Sequence, residues 1–246
     1  RGEPVVELKK KLVELGYARW SNPTPYYGKH TVNAVKKFQK SYGLKQTGEV
    51  DYKTQINMDK ALKTTRIFLD PGHGGKDPGA IAYGLLEKDV VLDIGLKTAN
   101  YLTKNYRYVE VKLSRSNDTF VELLERSNMA NKWHADYFVS IHTNSFIGTA
   151  SGFESYIYDG KVNMEEIKRQ KEIHSYIIKH LNSPDRGMKK ANFSVLRNTQ
   201  MPAILLEFLF IDNYNENKLL AKSSYREYLG KITAEAIANT FNLKRK

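Results

Sequence analysis

The 246-residue chain can hold one large domain, or one medium domain with a small companion, and 41% hydrophobic residues with aromatics throughout mark a folded protein rather than a disordered one. It has no cysteine, which excludes disulfides and thiolate metal sites, so any metal must be held by His, Asp or Glu. The net charge of +12 favours an anionic partner surface, whether nucleic acid, an acidic membrane face or a polyanionic cell wall, and also serves plain solubility; dispersed lysines and the lack of nucleic-acid motifs argue against nucleic acid.

No run approaches the roughly 20 apolar residues needed to span a bilayer. Arg1-Gly2-Glu3-Pro4 leads straight into an amphipathic pattern, so no secretory signal is visible. A mature form, a trimmed chain and export by another route all fit this start.

Residues 1–62 read as a small helical module. Val5, Leu8, Leu12 and Leu15 recur at helical spacing, with Pro4 near the start and Gly16 as a stop. Thr31 is expected to cap a second helix whose Val32, Val35, Phe38 and Tyr42 share a face, ending at Gly43. Asp51 is expected to cap a third, through Leu62. Between the first two lies Trp20–Gly28, a loop dense in aromatics and prolines, whose rings can serve simply to complete a small core. Lys63-Thr64-Thr65 is a short linker.

From residue 66 strand and helix patterns alternate. Ile67–Asp70 is a buried strand running into Pro71-Gly72-His73-Gly74-Gly75, and a helix follows from Glu87. Val109–Leu113 alternates as a strand, and Asp118 is a candidate cap for a helix containing Val121, Leu124 and Met129. Tyr137–Ile141 is a strand ending in His142-Thr143-Asn144. Phe153–Tyr158 is another, and 163–181 is helical. Ala203–Leu206 is a strand ending at Glu207, and a helix from about Ser224 closes the chain. The fold class is therefore α/β, a mostly parallel sheet flanked by helices, preceded by a three-helix domain.

His73, His142 and Glu207 each follow an apolar strand, and the carboxyl ends of parallel strands face a common crevice. Glu87 stands near the His73 loop in the chain. Two imidazoles and a carboxylate form a recurrent zinc set with one position left for water, and a further carboxylate can move the proton. Each residue also has a structural reading. Glu87 suits a helix first turn, and an isolated His is more often a hydrogen-bonded core residue. Glu207 between apolar triplets is costly to bury unpaired. His30, His134, His174 and His180 lie outside this pattern.

Two resemblances then supply roles. Leu15-Gly16-Tyr17, Gly28-x-x-Thr31-x-x-Ala34-Val35-x-x-Phe38-Gln39, Gly43-Leu44, Thr47-Gly48 and Asp51-x-x-Thr54 resemble the peptidoglycan-binding type 1 domain, which implies wall anchoring without catalysis. The Trp20–Gly28 loop is longer and more aromatic than usual there. In the rest of the chain, Leu69-Asp70-Pro71-Gly72-His73-Gly74-Gly75-x-Asp77-x-Gly79-Ala80, Glu87-Lys88-Asp89, Ser114-Arg115-x-x-Asp118 and Ser140-Ile141-His142-x-Asn144 resemble the zinc-dependent N-acetylmuramoyl-L-alanine amidases of type 3. Gly152-Phe153-Glu154, Arg186-Gly187 and Met201-Pro202-Ala203-x-Leu205-x-Glu207 extend the match.

That resemblance implies one Zn2+ held by His73, Glu87 and His142, with Glu207 as the catalytic glutamate. It implies hydrolysis of the amide between N-acetylmuramic acid and the L-alanine of the stem peptide. Asn144 and Arg115 are assigned to orienting substrate or supporting the site. Peptidoglycan is the expected partner, with anionic wall polymers a second, for a monomer acting outside the cell at the wall. The family usually carries glycine two residues after the glutamate, where this chain has Leu209. A residue there can crowd the site or repack the strand end, which keeps open a catalytically impaired wall-binding protein. A zinc peptidase acting within stem peptides is the other alternative.

Overall fold

The computed structural model describes residues 2–246, leaving Arg1 of the helical module outside the described residues. The chain divides into two compact units, Arg1–Thr64 and Thr65–Lys246.

The first unit holds α1 (Glu3–Glu14), α2 (Lys29–Ser41) and α3 (Tyr52–Leu62). Leu12, Leu15, Val35, Phe38 and Met58 form its core, with Trp20, Tyr27 and Tyr42 packed on the edge. Asp51 caps α3 as its sequence predicts, accepting from Thr54 N at 2.8 Å. Thr31 does not cap α2. The helix starts earlier, with Gly28 at the cap, and Thr31 is buried in its first turn. The buried Gln39 side chain replaces a longer core here, donating to Glu49 O (2.8 Å) and Thr54 Oγ1 (3.1 Å) and accepting from Gly48 N (2.9 Å).

The second unit begins with β1 (Thr65–Pro71), a two-stranded hairpin of β2 (Ile81–Ala82) and β3 (Leu85–Leu86), α4 (Glu87–Asn105) and β4 (Val109–Leu113). There follow α5 (Leu123–Lys132), β5 (Tyr137–Asn144), β6 (Phe153–Tyr158), α6 (Met164–His180), β7 (Asp185–Ala191) and α7 (Ser194–Arg197). The chain closes with β8 (Ala203–Phe210), α8 (Tyr214–Leu220) and α9 (Ser223–Thr240). The main sheet has the order β4-β1-β5-β8-β6-β7. All neighbours are parallel except β6 and β8. β7 escapes the sequence pattern because it is an edge strand, half exposed and rich in Arg and Lys. Asp118 is not a helix cap; α5 starts at Leu123, and Asp118 instead accepts from Gly75 N (2.7 Å) and Lys88 Nζ (2.7 Å).

Strand side chains alternate between faces, and the two faces differ in a way that makes the site. Ile67, Leu69, Val139, Ile141, Ile204 and Leu206 turn to one side and join α4, α6 and α9 in the large core. Phe68, Phe138, Ala203 and Leu205 turn to the other, against α5 and α7. Continuing along that second face at the same period come Asp70, Ser140, His142 and Glu207, with Glu154 directly opposite Glu207 across the β6–β8 ladder. The apolar half of this face is covered by α5 and α7, and its polar continuation opens on a crevice.

Both β5 and β8 run past the ends their hydrophobic runs suggest, so His142 and Glu207 are paired within the ladder rather than hanging from its end. Register then shifts: His142 pairs with Glu207, but Asn144 pairs with Phe210. β8 therefore carries an extra residue, a bulge just after Glu207. Leu209 sits in it at φ 62°, the left-handed region that glycine favours. This explains physically why the family pattern has glycine at the position. The Leu209 side chain is fully buried in the large core, away from the crevice, so it repacks the strand end and does not crowd the site.

Candidate active site

The crevice is a cleft of about 540 Å³ whose walls include His73, Glu87, His142, Asn144 and Glu207, with Phe120, Leu123 and Phe193 along an apolar rim. Its size suits a small-molecule or oligomer segment.

The foundation is a buried ion pair. Asp70, at the end of β1, accepts from Ser114 Oγ (2.7 Å), Ser140 Oγ (2.9 Å) and Arg126 NH1 (2.8 Å). Arg126 is 2% exposed and also donates to the carbonyls of Pro71 (2.8 Å), His73 (2.6 Å) and Val121 (2.9 Å). Arg115 completes the clamp, donating to Pro71 O (3.1 Å), Gly72 O (2.7 Å) and Lys88 O (2.7 Å). Two buried guanidiniums thus grip the backbone of the Pro71–His73 turn. Arg115 does not line the cleft; it holds the loop that does.

That grip keeps His73 at φ 60°, a left-handed conformation sustained only where the surroundings over-determine it. Its Nδ1 lies 2.8 Å from Asp77 Oδ2, and its Nε2 faces Glu87 Oε2 at 3.1 Å. Glu87 opens α4, and each of its oxygens is fixed by a backbone amide: Oε2 accepts from Ala80 N (2.9 Å) and Oε1 from Thr143 N (3.1 Å). His142 Nδ1 approaches Oε1 at 3.0 Å. A single donor atom from each of His73, Glu87 and His142 falls within 4.8 Å of the others. Two glycines make room for this packing. A Cβ on Gly72 would sit 2.1 Å from the His142 ring, and one on Gly79 (φ 65°) would sit 2.6 Å from Glu87 Oε2.

The charge balance of the cluster favours a cation between its members. Burial opposes ionisation of Glu87, yet the hydrogen bonds and charges of His142 and His73 outweigh it and hold its carboxyl far below the usual range. Burial likewise opposes a charged His142, and the Glu87 carboxylate overrides it, pushing the imidazole up to about 9. His73 is raised for the same reason, against its own desolvation. The same donor atoms could hold a divalent ion, whose binding would release any protons they carry.

Glu207 stands apart. Its Oε2 is buried without a hydrogen-bond partner. Burial pushes its carboxyl up to about 8, eased by His142 and reinforced by Glu87 and Glu154. Asn144 lines the cleft with its amide tied to Glu154 Oε1 at 2.6 Å. Glu154, 2% exposed, also receives Arg186 Nε (3.1 Å), Tyr156 OH (2.8 Å) and Lys189 Nζ. Sequence reasoning gave Glu154, Asp70, Asp77 and Arg126 no role, and period-two alternation of Glu154 with Tyr156 was the available signal. A Ser155–His174–Asp185 relay also exists, at 2.8 and 2.9 Å, but Ser155 is fully buried under the opposite face and no substrate reaches it.

An open α/β sheet with a His–Glu–His donor cluster beside an unpartnered carboxylate defines the class: a metal-site hydrolase built on strand ends. Residues 67–239 match the sequence model of the N-acetylmuramoyl-L-alanine amidases, and residues 1–56 that of a peptidoglycan-binding domain. The chain belongs to the N-acetylmuramoyl-L-alanine amidase family and is an enzyme of cell-wall degradation. It is 46% identical over 180 residues to the sporulation-specific N-acetylmuramoyl-L-alanine amidase of Bacillus subtilis (strain 168), covering 73% of this chain and 69% of that one. It is 47% identical over 184 residues to the endolysin of Bacillus phage SPP1, covering 73% and 67%. Among solved structures, the N-acetylmuramoyl-L-alanine amidase of Clostridium difficile 630 superposes with a TM-score of 0.70 at 32% identity, covering 73% of this chain and 98% of that one. No helix among the described residues is long and apolar enough to cross a membrane.

Proposed function

We propose that the cleft hydrolyses the amide joining N-acetylmuramic acid to L-alanine with one Zn2+ held by His73, Glu87 and His142, and with Glu207 as the proton carrier. The observation that carries this reading is the buried, unpartnered Oε2 of Glu207 lining the same cleft as the three-donor cluster. A donor set of two imidazoles and one carboxylate fits zinc, which His73, Glu87 and His142 would hold. Zinc there supplies polarisation of the scissile carbonyl and acidification of a water.

The chain's own residues do the rest. Asp77 holds His73 so that Nε2 points inward, and the amides of Ala80 and Thr143 fix the Glu87 carboxylate. Glu207 takes the proton from the attacking water as the new C–O bond forms. It then returns that proton to the alanine nitrogen as the C–N bond breaks. Asn144, held by Glu154, positions the substrate, and Arg115 acts through the loop it grips. The apolar rim accommodates the methyl-bearing stem peptide and helps exclude water. Residues 1–62 serve as the wall-binding module, joined through 63–65 to a catalytic domain over 66–246, in a monomer acting outside the cell.

The test is digestion of purified peptidoglycan with mass spectrometry of the products. New L-alanine amino termini are expected, abolished by a chelator, restored by Zn2+, and reduced by about 10²–10⁴-fold in Glu207→Gln. Cleavage inside the stem peptide, or full activity in both the chelated protein and Glu207→Gln, refutes the mechanism.

A further inference from the structure

The helical module carries a second concavity, about 470 Å³, between the segment that follows α1 and one face of α2. Its walls include Tyr17, Arg19, Trp20, His30, Lys36 and Lys37. His30 and Lys37 are two turns apart on α2 and share a face. No acidic side chain lines it.

We infer that this groove binds a peptide-bearing saccharide of the wall, its carboxylates meeting Arg19, Lys36 and Lys37 and its apolar faces lying against Trp20 and Tyr17. The inference rests on the peptidoglycan reading of the module and adds the place and the recognised group.

Three observations support it. First, the groove gathers Arg19, Lys36 and Lys37 with no carboxylate in its lining, although many other lysines of the module are solvated as well. Lys10 meets Glu7 at 2.6 Å, Lys11 meets Asp59 at 2.6 Å, and the buried Lys9 donates to Thr24 Oγ1 at 3.0 Å. Among the described residues, Arg19, Lys36 and Lys37 take part in no ion pair or side-chain hydrogen bond. A solvated cationic face explains charge alone, but not a concavity with aromatic walls.

Second, the aromatic wall is built. A proline-rich loop of this length is expected to move, yet Lys9 anchors it at Thr24 and lies 5.3 Å over the Trp20 ring. Tyr27 OH donates to Gly48 O at 2.6 Å, and Gly2 N donates to Pro25 O at 3.1 Å. Trp20 packs partly on the core and keeps a partial exposure to the groove. Preorganisation of this kind removes an ordering cost from binding.

Third, aromatic surface beside cations discriminates among wall anions. Sugar C–H faces and alanyl methyls match an indole, and stem carboxylates match guanidinium and ammonium groups. A phosphodiester polymer offers the charge without the ring faces.

The experiment uses the full chain carrying Glu207→Gln to suppress turnover and Trp133→Phe, which leaves Trp20 as the sole indole, since the sequence has two tryptophans. The probe is the disaccharide-tetrapeptide released from peptidoglycan by a muramidase. A saturable change in Trp20 emission is expected, weakened by about tenfold or more in Arg19→Glu/Lys37→Glu, since loss of even one of the two charge-assisted contacts removed there implies about that much. Amide shifts of the Glu207→Gln chain, which do not depend on the Trp133 substitution, should include residues 17–20 and 30–37. A silent Trp20, amide shifts absent from those segments, or undiminished binding by the charge-reversed chain overturns the inference. So does equal binding of a stem-free N-acetylglucosamine oligomer, or preference for purified teichoic acid. Cosedimentation of the full chain with purified walls, run in parallel, separates the outcomes: retention on walls with a silent groove leaves the wall-binding reading intact and rejects this site.

Discussion

Leu209 gives the sharpest test of the backbone argument. It occupies the bulge after Glu207 at φ 62° with its side chain fully buried. Truncation to alanine removes the buried side chain but leaves an L-residue in the left-handed region, and core Leu→Ala changes cost about 3–5 kcal/mol. At an ordinary strand position, glycine would be worse still. It would lose about 0.8 kcal/mol for the remaining methyl and about 0.5–1 kcal/mol for chain entropy. In the bulge, glycine instead recovers the left-handed penalty, about 1–2 kcal/mol. The two corrections nearly cancel, so Leu209→Gly and Leu209→Ala should unfold within about 0.5 kcal/mol of each other, and both well below the parent. Equilibrium denaturation in guanidinium, followed by far-ultraviolet circular dichroism with matched m-values, measures the gap. A glycine variant less stable than the alanine variant by more than about 1 kcal/mol would refute the strained-bulge account.

Other consequences are more local. Gly72→Ala places a Cβ 2.1 Å from the His142 ring, so it should displace that imidazole and lower metal content and activity together, read by elemental analysis and product release. Arg126→Met strands the buried Asp70 carboxylate and should destabilise the domain by about 3–5 kcal/mol. Adding Asp70→Asn should recover part of that loss in thermal melts, and strict additivity of the two changes would deny the pairing. Glu154 also links stability to pH. Burial opposes its charge, but Lys189, Tyr156 and Arg186 prevail and hold its carboxyl below the usual range. Because the folded value lies below the unfolded one, its contribution is present above the ordinary glutamate range and is lost as pH falls through the folded value. Glu154→Gln should therefore show a shallower acid-side decline in melting temperature than the parent, and an unchanged slope counts against the network.

The sequence by itself determined the periods and the punctuation. Apolar runs marked β1, β5 and β8, spacing marked α1, α4 and α9, and glycines after His73 marked a turn where a strand ends. Those signals are local, because each reflects the geometry of one element against one core. They were enough to bring out His73, His142 and Glu207, since consecutive parallel strands open at the same edge. The motif resemblance supplied Glu87 and the roles. What only tertiary structure decided depends on atoms far apart in the chain. It decided that Arg115 and Arg126 grip the backbone of the Pro71–His73 turn, and that Glu154 faces Glu207 across an antiparallel pair. It also decided that a bulge turns Leu209 into the core. A guanidinium has several places to donate and a carboxylate several places to accept, and sequence does not rank partners 40 residues away; packing does, by leaving each buried charge with few partners that satisfy it.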